Sequence, residues 1–172
     1  MLIRRELPAD AGVIRAVTDA AFARPGVPSP SAEARLVDEL RAGPAWLPPL
    51  SLVAIDAAGA VIGHVACTRG RIGDAPALAL GPLSVRPDSQ GRGAGSALVH
   101  AVLGAADALD EPLVALLGSP DYYQRFGFRL SGEFGIDPPR PGWRPHFQVR
   151  TLTGYRPAVR GTFSYPEPFD RT

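Results

Sequence analysis

The feature that most restricts this chain is a run of alternating glycines, Gln90-Gly91-Arg92-Gly93-Ala94-Gly95-Ser96. It lies between an apolar stretch ending at Val85 and a helical periodicity beginning at Leu98. A strand that enters a helix through such a run presents unpaired amides at the helix start, where the helix dipole also favours negative charge. Glycine lets the chain wrap closely around an anion with its amides turned inward, and Arg92 adds a candidate charge-assisted contact. The run is therefore expected to cradle a pyrophosphate, the alternative being a glycine-rich turn with no ligand.

Other phosphate loops fit less well. A nucleotide triphosphate loop requires a lysine after its last glycine, and all 18 basic residues here are arginine. The nicotinamide fingerprint wants a third glycine where Ser96 stands and an acidic residue at the end of a second strand, whereas Leu113 to Leu117 is wholly apolar. With 17 acidic residues the net charge is +1, so neither nucleic acid nor an anionic membrane is expected as a partner. Any anion must be held locally.

The remaining composition sets the scale. A chain of 172 residues, 45% of them hydrophobic, suits one domain, read here as a core over 1–152 with an irregular tail over 153–172. The one cysteine, Cys67, excludes an internal disulfide and a cysteine-based metal cluster, and no metal is expected. Neither a signal-like start nor an apolar run approaching the ~20 residues of a membrane span is present, so a cytoplasmic protein is expected.

Periodicity predicts a strand over Leu2 to Arg5 and a helix over Asp10 to Phe22, which carries Val13, Ile14, Val17 and Ala21 at a helical spacing. After a loop over Arg24 to Pro30, a second helix is expected with Ser29 as its cap and Pro30 at its first position, burying Leu36, Val37 and Leu40. It should stop at a left-handed Gly43. A proline-rich bridge, Pro44 to Pro49, leads to a hairpin over Ser51 to Arg71. Pro76 to Val85 reads as a strand in which Gly81-Pro82 removes a ladder donor, so a bulge or break is predicted there. Leu98, Val99, Val102, Leu103, Ala106 and Leu109 mark a long helix, followed by a buried strand at Leu113 to Leu117. A short helix over Asp121 to Phe126 and weaker strands over Phe128 to Ile136 and Phe147 to Leu152 complete the core, with a loop at Pro138 to Pro145.

With Gln90, Gly93 and Gly95, the loop resembles the coenzyme motif Gln/Arg-x-x-Gly-x-Gly/Ala of the GNAT superfamily of acyl-CoA-dependent N-acyltransferases. Further on, Gly118-Ser119-Pro120-Asp121-Tyr122-Tyr123-Gln124-Arg125-Phe126-Gly127-Phe128 is similar to its second signature, a Tyr four residues before Gly-Phe. The spellings are similar to those of the YhbS-type bacterial branch. The resemblance implies an α/β fold, a mixed, largely antiparallel sheet splayed between strands 4 and 5 and flanked by helices on both faces. It also implies acetyl-CoA as co-substrate, bound by Gln90, Gly91, Arg92, Gly93, Ala94, Gly95 and Ser96, with the backbone of Leu83, Ser84 and Val85 along the pantetheine arm.

In this family an amine attacks the thioester directly, which calls for a neutral amine, a donor to the thioester oxygen and a proton for the departing thiolate. Tyr123 is the candidate acid and the amide of Leu83 or a neighbour the candidate oxygen donor. A tyrosine near pKa 10 giving its proton to a thiol near 8.5 is uphill by roughly 1.5 units, or about 2 kcal/mol, so full transfer and hydrogen bonding both stay open. The strand before the loop lacks the carboxylate some relatives carry, so His64 and Glu33 are candidate bases, with water-mediated deprotonation as the alternative. Cys67 is a further nucleophile candidate, with buried packing as its alternative. Arg24 to Pro30 and Pro138 to Pro145 are expected to frame the amine acceptor, where Trp143, Arg140 and Arg144 offer a clamp for an acidic or aromatic group. The acceptor and a homodimeric state are left open, and the rival function is a non-catalytic acyl-CoA-binding sensor or interaction module.

Overall fold

The computed structural model describes residues 1–26 and 28–171. Val27 of the expected loop over 24–30 and Thr172 at the end of the tail lie outside the described residues. The chain runs β1 (Leu2–Arg5), α1 (Ala11–Phe22), α2 (Ala32–Ala42), β2 (Trp46–Ile55), β3 (Val61–Ile72), β4 (Ala75–Val85), α3 (Ala94–Ala108) and β5 (Leu113–Leu117). Then come α4 (Pro120–Tyr123), β6 (Arg129–Leu130), β7 (Ile136–Asp137), β8 (Phe147–Thr151) and β9 (Gly161–Ser164). The sheet order is β1-β2-β3-β4-β5-β8-β6, with β9 pairing both β3 and β7. Pairing is antiparallel except between β4 and β5 and between β7 and β9.

Helices cover both faces, so the central strands are apolar on both sides. Alternation along β2 sends Leu52 and Ala54 to the face packed by Leu98, Val99 and Val102 of α3. Val53 points the other way, to Ile14 and Val17 of α1 and Val37 of α2. Each fully buried aliphatic side chain of this kind contributes about 1.5–3 kcal/mol.

Gly81-Pro82 forms the expected irregularity as a bulge, with β4 continuing through it. Val65 pairs with Leu83 and Cys67 with Leu80, so Ala66 alone opposes Gly81 and Pro82. Gly81 takes φ +146°, a conformation that side chains rarely adopt. Close by, β4 and β5 separate. Their parallel pairing joins Leu78 to Val114 and Ala79 to Ala115, after which β4 stays with β3 as far as Val85 while β5 stays with β8 as far as Leu117. The expected splay between strands 4 and 5 is this fork.

Several expectations are corrected. The cap of α2 is Ser31, whose side chain accepts from Ala34 N at 3.2 Å, and not Ser29. The helix does stop at Gly43, but in an extended conformation at φ −100°, as the following Pro44 requires of its neighbour. Val13 and Leu109 are exposed at 39% and 50%. The proline bridge belongs partly to β2, which begins at Trp46 opposite Thr68. Phe128 to Ile136 forms only β6 and a 3-10 turn over Ser131–Phe134 before β7. The tail is not irregular throughout. β9 pairs with the end of β3 and buries Phe163 completely, in a second core with Phe147, Val149 and Ile136.

Candidate active site

A 3-10 turn over Pro87–Ser89 carries β4 into the glycine run. Gly91 and Gly93 sit at φ +72° and +87°, in the left-handed region, and Gly93 caps α3. The first bond of α3 runs from Ala97 N to the Gly93 carbonyl at 2.9 Å, and no side chain caps the end. The amides of Ala94, Gly95 and Ser96 thus precede the helical ladder and form an anion-binding end. Gln90 Nε2 donates to the Val85 carbonyl at 2.9 Å, folding the start of the loop back onto β4. A methyl on Gly95 would stand 3.1 Å from the Tyr122 hydroxyl. These residues, with Leu83, Val85 and Arg125, line a cavity of about 510 Å³, while Arg92 borders a neighbouring cavity beside Arg86 and Asp88.

The edge of β4 leads from this cradle into the fork. The Arg86 amide donates to Ile62 on β3 at 2.8 Å. Because successive residues of an antiparallel strand turn their peptide groups to opposite sides, those of Leu83 and Val85 face away from β3, toward the gap left by β5. Ser84 faces the other way. Its peptide group pairs with His64 of β3 and its buried hydroxyl lies 3.1 Å from Thr18 Oγ1, so Ser84, expected along the pantetheine arm, does not belong to this edge.

Leu83 also borders a second cavity, about 640 Å³, which occupies the fork. Tyr123 is on its wall, edge-on to Tyr122 at 4.9 Å and to Phe128 at 5.8 Å. Gly118 makes room for it, since a methyl there would be 2.5 Å from Tyr123 Cε2. Burial, with Tyr122 adding to it, pushes the Tyr123 phenol up to about 12. Glu33, in the first turn of α2, lines the same cavity.

The structure separates His64 from this cavity. Its ring is fully buried between β1, β2 and α2, with Nε2 2.9 Å from Ser51 Oγ and 3.5 Å from Glu6 Oε2. Arg41 Nε reaches the same Glu6 carboxylate at 2.6 Å, and Ser51 Oγ donates to it. Burial alone would raise the Glu6 carboxyl, but bonds from His64, Arg41 and Ser51 outweigh it and hold the group at about 2. Desolvation lowers the His64 pKa against the pull of Glu6. A neutral ring with its proton on Nε2 fits this network, because Nδ1 has no partner. Cys67 is 1% exposed and burial pushes its thiol up, which removes it as a nucleophile.

The end of the cavity away from the glycine run, where an acceptor was expected, differs from the expected pair of loops. Arg140 and Trp143 are present, but Arg144 turns to Asp137 at 3.0 Å, and Phe22 with Glu33 stands where the loop over 24–30 was expected. The wall that sequence reasoning missed is the tail, which supplies Tyr165, Phe169 and Asp170. The alternation of Phe163 and Tyr165 was the available signal for a strand there. Among the described residues no acid, histidine and cysteine cluster suited to a metal occurs, and no helix is long and apolar enough to cross a membrane.

Residues 49–130 match the acetyltransferase (GNAT) domain family. Across 99% of both chains, the sequence is 34% identical to the N-acetyltransferase YhbS of Escherichia coli K12. The crystal structure of Escherichia coli YhbS in complex with CoA is similar with a TM-score of 0.89, covering 99% of this chain and 92% of that one. A GNAT family acetyltransferase from Brucella melitensis, solved in complex with acetyl-CoA, is 37% identical with a TM-score of 0.79, over 98% of this chain and 97% of that one. An identity of 34% sustained along both chains, on the same forked sheet, makes this chain a member of the GNAT family of N-acetyltransferases.

Proposed function

We propose that the chain transfers an acetyl group from acetyl-CoA directly to the amine of a small molecule or peptide. The observation that carries this reading is the continuity of one unpaired strand edge. Leu83 borders both the glycine cradle and the cavity that holds Tyr123, so one extended ligand can lie along β4 with its anionic end in the loop. The fit to the coenzyme rests on the left-handed Gly91 and Gly93, the open first turn of α3 and the edge of β4 at Leu83 and at the Val85 amide, the Val85 carbonyl being taken by Gln90. The two relatives solved with CoA and acetyl-CoA support the same ligand.

The coenzyme supplies an activated acyl thioester. The amides of Ala94, Gly95 and Ser96 hold its pyrophosphate, and the Leu83 amide donates to the thioester oxygen, whose charge grows during attack. As the nitrogen–carbon bond forms and the carbon–sulfur bond breaks, the amine loses a proton and the sulfur gains one. Glu33 is the carboxylate of the pair of candidate bases that reaches the cavity. Tyr123, pushed up to about 12, lies roughly 3.5 units above a thiol near 8.5, so full proton transfer would be uphill by about 5 kcal/mol. Tyr123 therefore acts as a hydrogen-bond donor to the thiolate, and solvent delivers the proton.

Isothermal titration with acetyl-CoA, followed by a thiol-release assay over a panel of amines, tests the proposal. Saturable binding and amine-dependent thiol release are expected. Absence of binding at millimolar coenzyme would remove both the loop assignment and the function.

A further inference from the structure

We propose, resting on the acetyl-transfer reading above, that the acceptor is a small primary amine carried on an aromatic or bulky apolar body. The cavity in the fork, about 640 Å³, falls within the ~300–1,000 Å³ of small-molecule sites. Its acceptor end is walled by rings from three separate parts of the chain, Phe22, Trp143, and Tyr165 with Phe169. Tyr165 packs against two of the others. Tyr165 lies 4.6 Å from Phe169 and 6.3 Å from Trp143, between ring centroids. The segment that carries two of them leads to Arg171, which lies 3.1 Å from Glu39 of α2, and its strand β9 is paired with β3. Offset and edge-on contacts with such a wall favour a flat apolar body.

The charges select in the same direction. Glu33 and Asp170 are the carboxylates on the cavity, and the Arg140 guanidinium lies over the Trp143 ring at 4.9 Å. One ammonium group is matched by the carboxylates and by the ring faces. A polycation would bring more positive charge than two carboxylates can match beside Arg140, and a dicarboxylate would meet Glu33 and Asp170. A polyhydroxylated amine would bury hydroxyls against rings, since Thr162 and Ser164 are the small polar side chains on this wall. The rings bind the body, and Glu33 takes the proton that must leave the ammonium before it attacks.

The test is thiol release from acetyl-CoA with 2-phenylethylamine, isoamylamine, spermidine, glutamate and kanamycin as acceptors, with coenzyme affinity measured separately by titration. The expected result is a kcat/KM for 2-phenylethylamine at least about tenfold above those of spermidine, glutamate and kanamycin. Phe169→Ala should raise the KM for that amine about tenfold, Phe169→Trp should restore it, and both should keep the parent affinity for acetyl-CoA. Preference for the polycation, the dicarboxylate or the aminoglycoside overturns the inference, as does tight coenzyme binding with no acetylation of either apolar amine. An unchanged KM in Phe169→Ala overturns it too. Should Phe169→Ala fail to fold, the acceptor ranking of the parent decides. Loss of coenzyme binding in the parent protein would instead strike the underlying transferase reading, so the two failures are told apart by the titration.

Discussion

Gly93 and Gly95 belong to one motif, yet substitution by alanine is expected to act on them through different physics. Gly93 holds φ +87° and no heavy atom lies within 4 Å of where its Cβ would be. Alanine at 93 therefore meets no steric obstacle and pays only for the left-handed backbone, about 1–2 kcal/mol. That strain is relieved if the loop leaves the conformation that aims its amides inward. The 1–2 kcal/mol is divided between the two readouts, so acetyl-CoA affinity should fall by at most roughly 5–30-fold and the melting temperature by at most about 2–8 °C, the two losses together making up the strain. Asparagine tolerates the left-handed region, so Gly93→Asn should recover most of both losses. Gly95 is an ordinary helical residue inside α3, where alanine is favoured over glycine by about 1 kcal/mol. Its methyl would stand 3.1 Å from the Tyr122 hydroxyl and 3.6 Å from Val85 Cγ2, inside the cradle. Gly95→Ala should keep or raise the melting temperature while weakening the coenzyme. Paired calorimetric titrations and thermal melts separate the cases. The reasoning fails if Gly93→Ala binds acetyl-CoA as tightly as the parent and melts no lower, or if asparagine at 93 is no better than alanine.

Tyr123→Phe removes a hydrogen bond to a developing charge, worth about 1.5–3 kcal/mol, so kcat should fall roughly 10–150-fold with coenzyme affinity kept. Because Tyr123 is pushed up to about 12, the parent should show no alkaline fall in kcat near pH 10, and a fall there that vanishes in the phenylalanine variant would contradict the raised phenol pKa and reopen full proton transfer from Tyr123. Glu6 is held at about 2 against an ordinary 4.5, so its stabilisation is complete above pH 4.5 and is lost as pH falls from there toward 2. Glu6→Gln should therefore be about 3 kcal/mol less stable than the parent in urea at pH 7, with the gap narrowing at pH 3, and an equal gap at both pH values would refute the assignment. A methyl on Gly70 would come within 2.6 Å of Phe163 Cζ, so Gly70→Ala should lift β9 from β3 and expose the tail to limited proteolysis, and an unchanged digestion pattern would argue against it.

Features with a local cause were legible in the sequence. The glycine cradle, the bulge at Gly81-Pro82 and the helix face of α3 each depend on residues close together in the chain, through backbone conformation, a missing donor or a repeat. Where one local signal competed with another, the reading slipped. Ser29 and Ser31 both precede a helical pattern, but the Ser29 hydroxyl donates to Asp19 of α1 while Ser31 accepts from Ala34 N as the cap. His64 is a candidate base in the sequence as a histidine on the hairpin, but nothing local tells that it is enclosed by Glu6, Arg41 and Ser51, which are distant in the chain. The tail was misread for a related reason. Its strand is short and proline-flanked, and its pairing partner, the end of β3, lies some ninety residues earlier, at Arg71 opposite Ser164.

The same division runs through the site itself. The donor side is built from backbone, and its geometry is enforced from outside the fork. At the closed end, Arg69 of β3 binds Glu111 before β5 through two bonds of 2.7 and 2.5 Å, clasping the strands where Leu78 meets Val114. At the open end each strand is held by its outer neighbour, β4 by β3 and β5 by β8, so the gap is fixed without any residue crossing it. The acceptor side is built from side chains of α1, α2, the loop over 138–145 and the tail, none of which contributes to those pairings across the fork. Exchanging a ring on that wall therefore leaves the cradle and the β4 edge in place. On the proposed reading, a fold arranged this way can change its acceptor while keeping one coenzyme.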